Sequence, residues 1–165
     1  MRAWFFILHT IANTREAQSA MVGFFYLWGM IRAVILDPII LPFPPSGNTY
    51  YRSVRMGKSC RVLLSKAGRE YKTNVKEVVD DYIAKNEFDE VPFPYEGRLM
   101  LHIRLHAPTR RMYDLDNRLK AVCDALEYAG IYIDDNQIDS ITVRRGEVMK
   151  NNGRATVQII EIDGD

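Results

Sequence analysis

Two aspartates separated by one residue, Asp114 and Asp116, stand in the stretch Arg110-Arg111-Met112-Tyr113-Asp114-Leu115-Asp116-Asn117-Arg118-Leu119-Lys120. On extended backbone, residues i and i+2 point the same way, so both carboxylates can reach one ion. Asp116 also stands where a helix begins, and there a carboxylate commonly caps exposed amides. Capping would account for Asp116 but not for Asp114. Lys120 and Asp124 follow Asp116 at steps of four and share one helix face with it. Lys120 is either half of a surface ion pair with Asp116 or a cation placed beside a metal-bound phosphate. A second acidic pair, Asp134-Asp135, precedes Asn136, and Asp-Asp-Asn is common turn chemistry. Two hard-acid clusters flanked by arginines suit Mg²⁺, which takes oxygen ligands, keeps several waters and needs only a few carboxylates plus phosphate. His102 and His106 fit ordinary polar strand surface better than metal or base duty.

Other uses of Asp-x-Asp are weaker. A calcium loop of the EF-hand kind needs an acid or amide at its fifth position and Gly at its sixth, where Arg118 and Leu119 stand. A metal-dependent nucleotide-sugar transferase needs a longer chain than this. A phosphatase nucleophile would follow an apolar strand directly, and here Arg110-Arg111-Met112-Tyr113 intervenes.

The elements that must position these groups follow from periodicity and punctuation. Ile31–Leu41 is rich in Ile, Val and Leu and predicts a strand, ended by Pro42-Phe43-Pro44-Pro45 because proline fixes φ and lacks a donor. Ser46-Gly47-Asn48 predicts a turn, and Thr49–Val54 with Cys60–Leu64 a hairpin around Met56-Gly57-Lys58. Ser65 would cap a helix running to about Asn86, with Tyr71, Val75, Val78, Val79, Tyr82 and Ile83 at helical spacing. Leu99–His106 alternates apolar and polar residues, as a half-buried strand does. A second helix covers roughly Asp116 to Ala129, with Leu119, Val122, Cys123, Leu126 and Ala129 as its core stripe and Gly130 as its cap. Ile138–Arg145 and Arg154–Ile162 are expected to form a second hairpin, turned at Lys150-Asn151-Asn152-Gly153. The order βββ-α-β-α-ββ predicts an α+β domain, a mixed sheet of about five to six strands with two main helices on one face.

A chain of 165 residues can bury one core without disulfides. Net charge is +1, but its distribution is segregated. Arg52 to Lys76 holds eight basic residues against Glu70, and Glu77 to Glu96 holds seven acids against Lys85. Such segregation can present a basic face to phosphate, or simply be the solvated faces of surface helices. Cys60 and Cys123 make neither a disulfide framework nor a metal-spaced pair, which suits a reducing cytoplasm. Residues 1–30 contain two apolar runs, both short of the ~18 residues a membrane span needs, so no membrane association is expected. This extension is read as a helical appendage packed on the domain or a partner, a weak membrane or export element, or upstream sequence before a functional start at Met30. The last is preferred, because residues 31–165 complete a domain without it.

Three ordered motifs resemble the RusA family of Holliday junction resolvases over about three-quarters of the chain. They are Leu41-Pro42-Phe43-Pro44-Pro45-Ser46-Gly47-Asn48-Thr49-Tyr50-Tyr51-Arg52, the Asp-Leu-Asp-Asn-x-x-Lys-x-x-x-Asp-x-Leu helix within Arg111 to Leu126, and Gly130-Ile131-Tyr132-Ile133-Asp134-Asp135-Asn136-Gln137. The resemblance implies a Mg²⁺-dependent endonuclease, Mn²⁺ being a substitute, that resolves four-way DNA junctions by paired nicks as a homodimer. It implies metal-binding catalytic aspartates at Asp114, Asp116 and Asp135 and a catalytic lysine at Lys120, with Asn117 and Asp134 in support. Arg52, Arg55, Lys58, Arg61, Arg110, Arg111 and Arg118 would hold the DNA backbone. Two alternatives stay open: a nuclease for flaps or other branched DNA, and a branched-DNA-binding module without catalysis.

Overall fold

The computed structural model describes residues 31–57, 59–86 and 93–162. The expected extension over residues 1–30 and the candidate Lys58 lie outside them.

Strand β1 covers Ile31–Pro42, and a single helical turn, α1, follows at Gly47–Tyr50. The turn stands where the sequence suggested only a bend, and Thr49 and Tyr50 belong to it rather than to the next strand. The hairpin β2 (Tyr51–Met56) and β3 (Ser59–Leu64) pairs Val54 with Arg61 and stands apart as its own two-stranded sheet. Helix α2 spans Lys66–Asn86. Ser65 caps it as expected, its hydroxyl accepting the Gly68 amide at 3.0 Å. Strand β4 is Arg98–His106, helix α3 is Asp116–Tyr128, a 3₁₀ turn covers Asp135–Gln137, and strands β5 (Ile138–Arg145) and β6 (Arg154–Ile162) close the fold. The class is α+β, with the six described strands divided into a mixed sheet of four and the separate pair.

The sheet order β1-β6-β4-β5 corrects one expectation: β5 and β6 are not hairpin partners. Strand β5 runs parallel to β4, pairing Ile141 with Leu101 and Val143 with Ile103. Strand β6 lies antiparallel on the other side of β4 and also pairs with β1. Residues 146–153 carry the chain past the end of β4, where the Gly146 amide bonds the Leu105 carbonyl and the Met149 amide bonds that of Ala107. Burial explains the choice. Ala155, Val157, Ile159 and Ile160 of β6 are all buried and need neighbours on both sides, whereas β5 is largely exposed and tolerates an edge. Eight linking residues also span the ~10 Å across one intervening strand.

The parallel β4–β5 pair requires a crossover, and α3 supplies it. Leu99, Leu101, Ile103 and Leu105 of β4 share one buried cluster with Tyr71, Val75 and Val79 of α2 and with Val122, Cys123 and Leu126 of α3, so both helices cover the same sheet face. The far end of α3 is closed by Gly130 at φ 81°, with Gly130 N bonding Glu127 O and Ile131 N bonding Leu126 O. This left-handed closure turns the chain back toward the sheet. Among the described residues no helix is long and apolar enough to cross a membrane.

Candidate active site

The first turn of α3 is strapped to the proline-rich segment after β1. Asn117 Oδ1 accepts the Gly47 amide at 3.0 Å, and a Cβ at position 47 would lie only 2.6 Å from that oxygen. The Arg118 guanidinium packs over the rings of Phe43 (4.7 Å) and Tyr113 (5.4 Å) and donates to the Pro44 carbonyl. Both side chains are thereby committed to fixing where α3 begins. The helix starts from Leu115, in helical conformation and without a side-chain cap. Asp116 therefore does not do the capping job that its position suggests. Neither the Asp114 nor the Asp116 carboxylate has a hydrogen-bond or ion-pair partner among the described residues, and both residues are exposed.

The second acidic pair divides its work. Asp134 caps the 3₁₀ turn, its Oδ1 accepting the Asn136 amide at 2.9 Å. Gln137, only 7 % exposed, closes the loop: Oε1 accepts the amides of Ile133 and Asp134, and Nε2 donates to the carbonyls of Tyr95 and Gly97. Asp135 is left to project toward α3. Its Oδ2 lies 2.8 Å from Lys120 Nζ, and Lys120 reaches Asp124 Oδ1 at the same distance. The ion pair anticipated between Lys120 and Asp116 is not formed. Hydrogen bonds to Asp124 and Asp135 hold the Lys120 ammonium well above its ordinary range, so it is charged at neutral pH.

Asp116, Lys120 and Asp135 line one cleft of about 350 Å³, walled by Leu119, Cys123, Ile138 and Ile141. Burial raises the Cys123 thiol to about 11, so it serves as an inert wall. Asp114 lines a second hollow of about 410 Å³ with Arg110, Arg111, Tyr113 and Arg145. The two neighbouring acids thus open onto adjacent depressions, one carboxylate-rich and one arginine-rich. Arg145 was not singled out in the sequence. It donates to the Tyr113 carbonyl at 2.7 Å and lies over the Tyr113 ring, and the Arg144-Arg145 pair at a strand end was the available signal. Gln137 was likewise missed, although Asp134-x-x-Gln137 has the spacing of a capping box.

Among the other candidates, Arg52, Arg55 and Arg61 are exposed on the β2–β3 hairpin. The basic residues of α2 are engaged locally: Lys66 with Glu70, Arg69 with the Leu64 carbonyl, Lys72 over the Tyr128 ring and Lys76 with Asp80. The basic run therefore separates into an exposed arginine hairpin and a helix whose basic side chains have partners nearby. His106 Nδ1 sits 3.2 Å from the Glu147 carbonyl, and His102 is half-buried on the same strand; neither lines the cleft.

The donor set suits a hard divalent cation. Every candidate ligand is a carboxylate oxygen, and those of Asp124, Glu127 and Asp135 lie within 4.8 Å of one another. Asp116 lines the same cleft as Asp135 and offers it a further oxygen donor.

Residues 42–160 match the family described as endodeoxyribonuclease RusA. The chain is 35 % identical over 127 residues to the crossover junction endodeoxyribonuclease RusA of Escherichia coli K12, covering 77 % of this chain and 96 % of that one. It is 32 % identical over 124 residues to the crossover junction endodeoxyribonuclease of Enterobacteria phage HK97, covering 75 % and 93 %. The corresponding enzyme of Enterobacteria phage 82 is 35 % identical over 127 residues.

Proposed function

The chain belongs to the RusA family of endodeoxyribonucleases, and from that membership we propose that it is a Mg²⁺-dependent resolvase of four-way DNA junctions. The observation that carries the proposal is the meeting of Asp116 and Lys120 from one motif with Asp135 from another in one open cleft. Asp116 and Asp135 would hold the metal in this cleft, and the family resemblance adds Asp114, whose side chain opens onto the adjoining hollow. Mg²⁺, with Mn²⁺ as substitute, would supply charge stabilisation at a phosphodiester and lower the pKa of attacking water.

The protein's own groups have separable tasks. The carboxylates bind the cation and orient it against the scissile phosphate. Lys120 places a fixed positive charge where negative charge develops on the phosphate or on the departing oxygen. Leu119, Cys123, Ile138 and Ile141 form the apolar wall of the cleft. Arg110, Arg111 and Arg145 line the adjoining hollow, where they would take a neighbouring phosphate of the same strand. A four-way junction has two-fold symmetry, so paired nicks call for a homodimer with one cleft in each copy. A chain acting on DNA and carrying two free thiols suits the cytoplasm.

The test is cleavage of a synthetic four-way junction beside flap and duplex controls over a Mg²⁺ titration. Paired symmetric nicks are expected, with Asp116→Asn binding the junction but cutting at least ~100-fold more slowly. Intact junctions at every Mg²⁺ and Mn²⁺ concentration would falsify the proposal. Preferential cutting of flaps would move the chain to a broader branched-DNA nuclease.

A further inference from the structure

The chemistry proposed above needs the Lys120 ammonium to stay at the cleft while Asp135 turns to a cation. In the structure Lys120 divides itself between Asp124 Oδ1 and Asp135 Oδ2. A divalent cation on the Asp135 carboxylate repels the Lys120 ammonium paired with that same group. The Lys120 side chain is 58 % exposed, and a long flexible chain released from one partner gains rotamer freedom by swinging into solvent. Something else must retain it.

Asp124 is built for that task. Its side chain is only 13 % exposed, and each of its oxygens already has a donor. Oδ1 takes the Lys120 ammonium at 2.8 Å, and Oδ2 takes the Tyr51 hydroxyl, also at 2.8 Å. Tyr51 opens the β2–β3 hairpin, and its ring sits edge-on to Tyr50 at 4.8 Å, itself 1 % exposed. The anchor is therefore tied to the core rather than to the mobile end of a side chain. Burial and the bond to Asp124 keep the Tyr51 hydroxyl protonated, as a donor must be.

We infer that Asp124, clamped by Tyr51, is the positioning residue that holds Lys120 at the cleft, and that it is not itself a metal ligand. The inference rests on the roles proposed above for Lys120 and Asp135. Its rival follows from the same cluster: Asp124 could join Glu127 and Asp135 around an ion. To do so it would have to share an oxygen with the Tyr51 hydroxyl or set the ion against the Lys120 ammonium, whose charge repels it. The sequence placed Asp124 on the Lys120 face without a task, and Tyr51 in the Pro-Pro-Ser motif without one; the hydrogen bond between them gives both a purpose.

The experiment compares Asp124→Asn, Tyr51→Phe, Asp135→Asn, Lys120→Ala and the double variant Asp124→Asn with Lys120→Ala, all in the full chain. Three quantities are read: Mg²⁺ affinity by calorimetry without DNA, single-turnover junction cleavage, and acylation of Lys120 by an activated ester at saturating Mg²⁺, followed by mass spectrometry. Asp124→Asn should cut ~10–100-fold more slowly and Tyr51→Phe about 3–10-fold, with Mg²⁺ affinity within about twofold of the parent, whereas Asp135→Asn should lose affinity ~10-fold or more. Lys120 should be acylated several-fold faster in both Asp124→Asn and Tyr51→Phe. The double variant should be no slower than Lys120→Ala alone, because the two residues act as a unit. A roughly tenfold loss of Mg²⁺ affinity in Asp124→Asn would make Asp124 a ligand and overturn the inference. Unchanged acylation of Lys120 in both variants would overturn it equally. If the parent chain left junctions intact, the resolvase proposal would fall, while ion affinity and acylation would still decide what Asp124 does.

Discussion

Asp134 and Asp135 are adjacent, carry the same side chain, and do opposite things. Asp134 spends its carboxylate on the Asn136 amide; Asp135 keeps its own for the cleft. What separates them is Gln137, which ties the loop to Tyr95 and Gly97 through one buried amide. Removing that amide takes one part-buried hydrogen bond from each of two carbonyls and two amides. Gln137→Ala should therefore destabilise the protein by ~2–3 kcal/mol, since four part-buried hydrogen bonds of about 0.5–1.5 kcal/mol each are lost and water restores some of them. Because the loop also aims Asp135, junction cleavage should fall more than the loss of folded protein accounts for. Urea titration and single-turnover cleavage below the transition measure the two effects. An unchanged urea midpoint would refute the claim that Gln137 holds this loop.

Helix α3 carries its chemistry in its first three turns and its closure at the other end. Asp116, Lys120 and Asp124 occupy successive turns of one face, and Gly130 ends the helix at positive φ. An L side chain at such a φ costs roughly 1–2 kcal/mol. Gly130→Ala should lower stability by about that amount in chemical denaturation while leaving Mg²⁺ affinity and cleavage at 25 °C near the parent values. A large loss of cleavage in fully folded Gly130→Ala would mean that the end of α3 communicates with the cleft. Helix α2 teaches the complementary lesson. Its lysines occupy the same basic run as the hairpin arginines, yet Lys66 and Lys76 meet acids one turn on and gain only the few tenths of a kcal/mol of surface pairs.

At the scale of the whole molecule, the β2–β3 hairpin stands outside the main sheet and presents Arg52 and Arg61 to solvent. A four-way junction offers phosphates over an area wider than one cleft, and an exposed basic hairpin extends the reach of the protein toward them. Each phosphate contact steepens the dependence of log affinity on log salt by ~0.9. Replacing both Arg52 and Arg61 by alanine should reduce that slope by about 2, whereas replacing Lys66 and Lys76 should leave it unchanged. Fluorescence anisotropy of a labelled junction across a NaCl series reads both slopes. Equal slopes for the parent and the arginine variant would remove the hairpin from the DNA-binding surface.

Much of this protein is local and therefore legible in one dimension. Periodicity located both long helices and the buried face of β4, Ser65 and Gly130 marked their helix ends, and ordered motifs carried the family. These features depend on residues within a turn or two of each other, where backbone geometry leaves few choices. The β2–β3 hairpin was legible, but the order of the main sheet was not, because the turn residues after Arg145 suit a hairpin as well as a crossing, and only the burial of β6 between β1 and β4 settles it. The assembled site was not legible either. Nothing local distinguishes Asp134 from Asp135, predicts that Lys120 pairs with Asp124 and Asp135 rather than with Asp116, or joins Tyr51 to a carboxylate 73 residues away. The residue types that could do chemistry were written in the sequence; which of them meet was decided by packing α3 against the sheet, since contacts between distant segments exist only once the core that excludes water has formed.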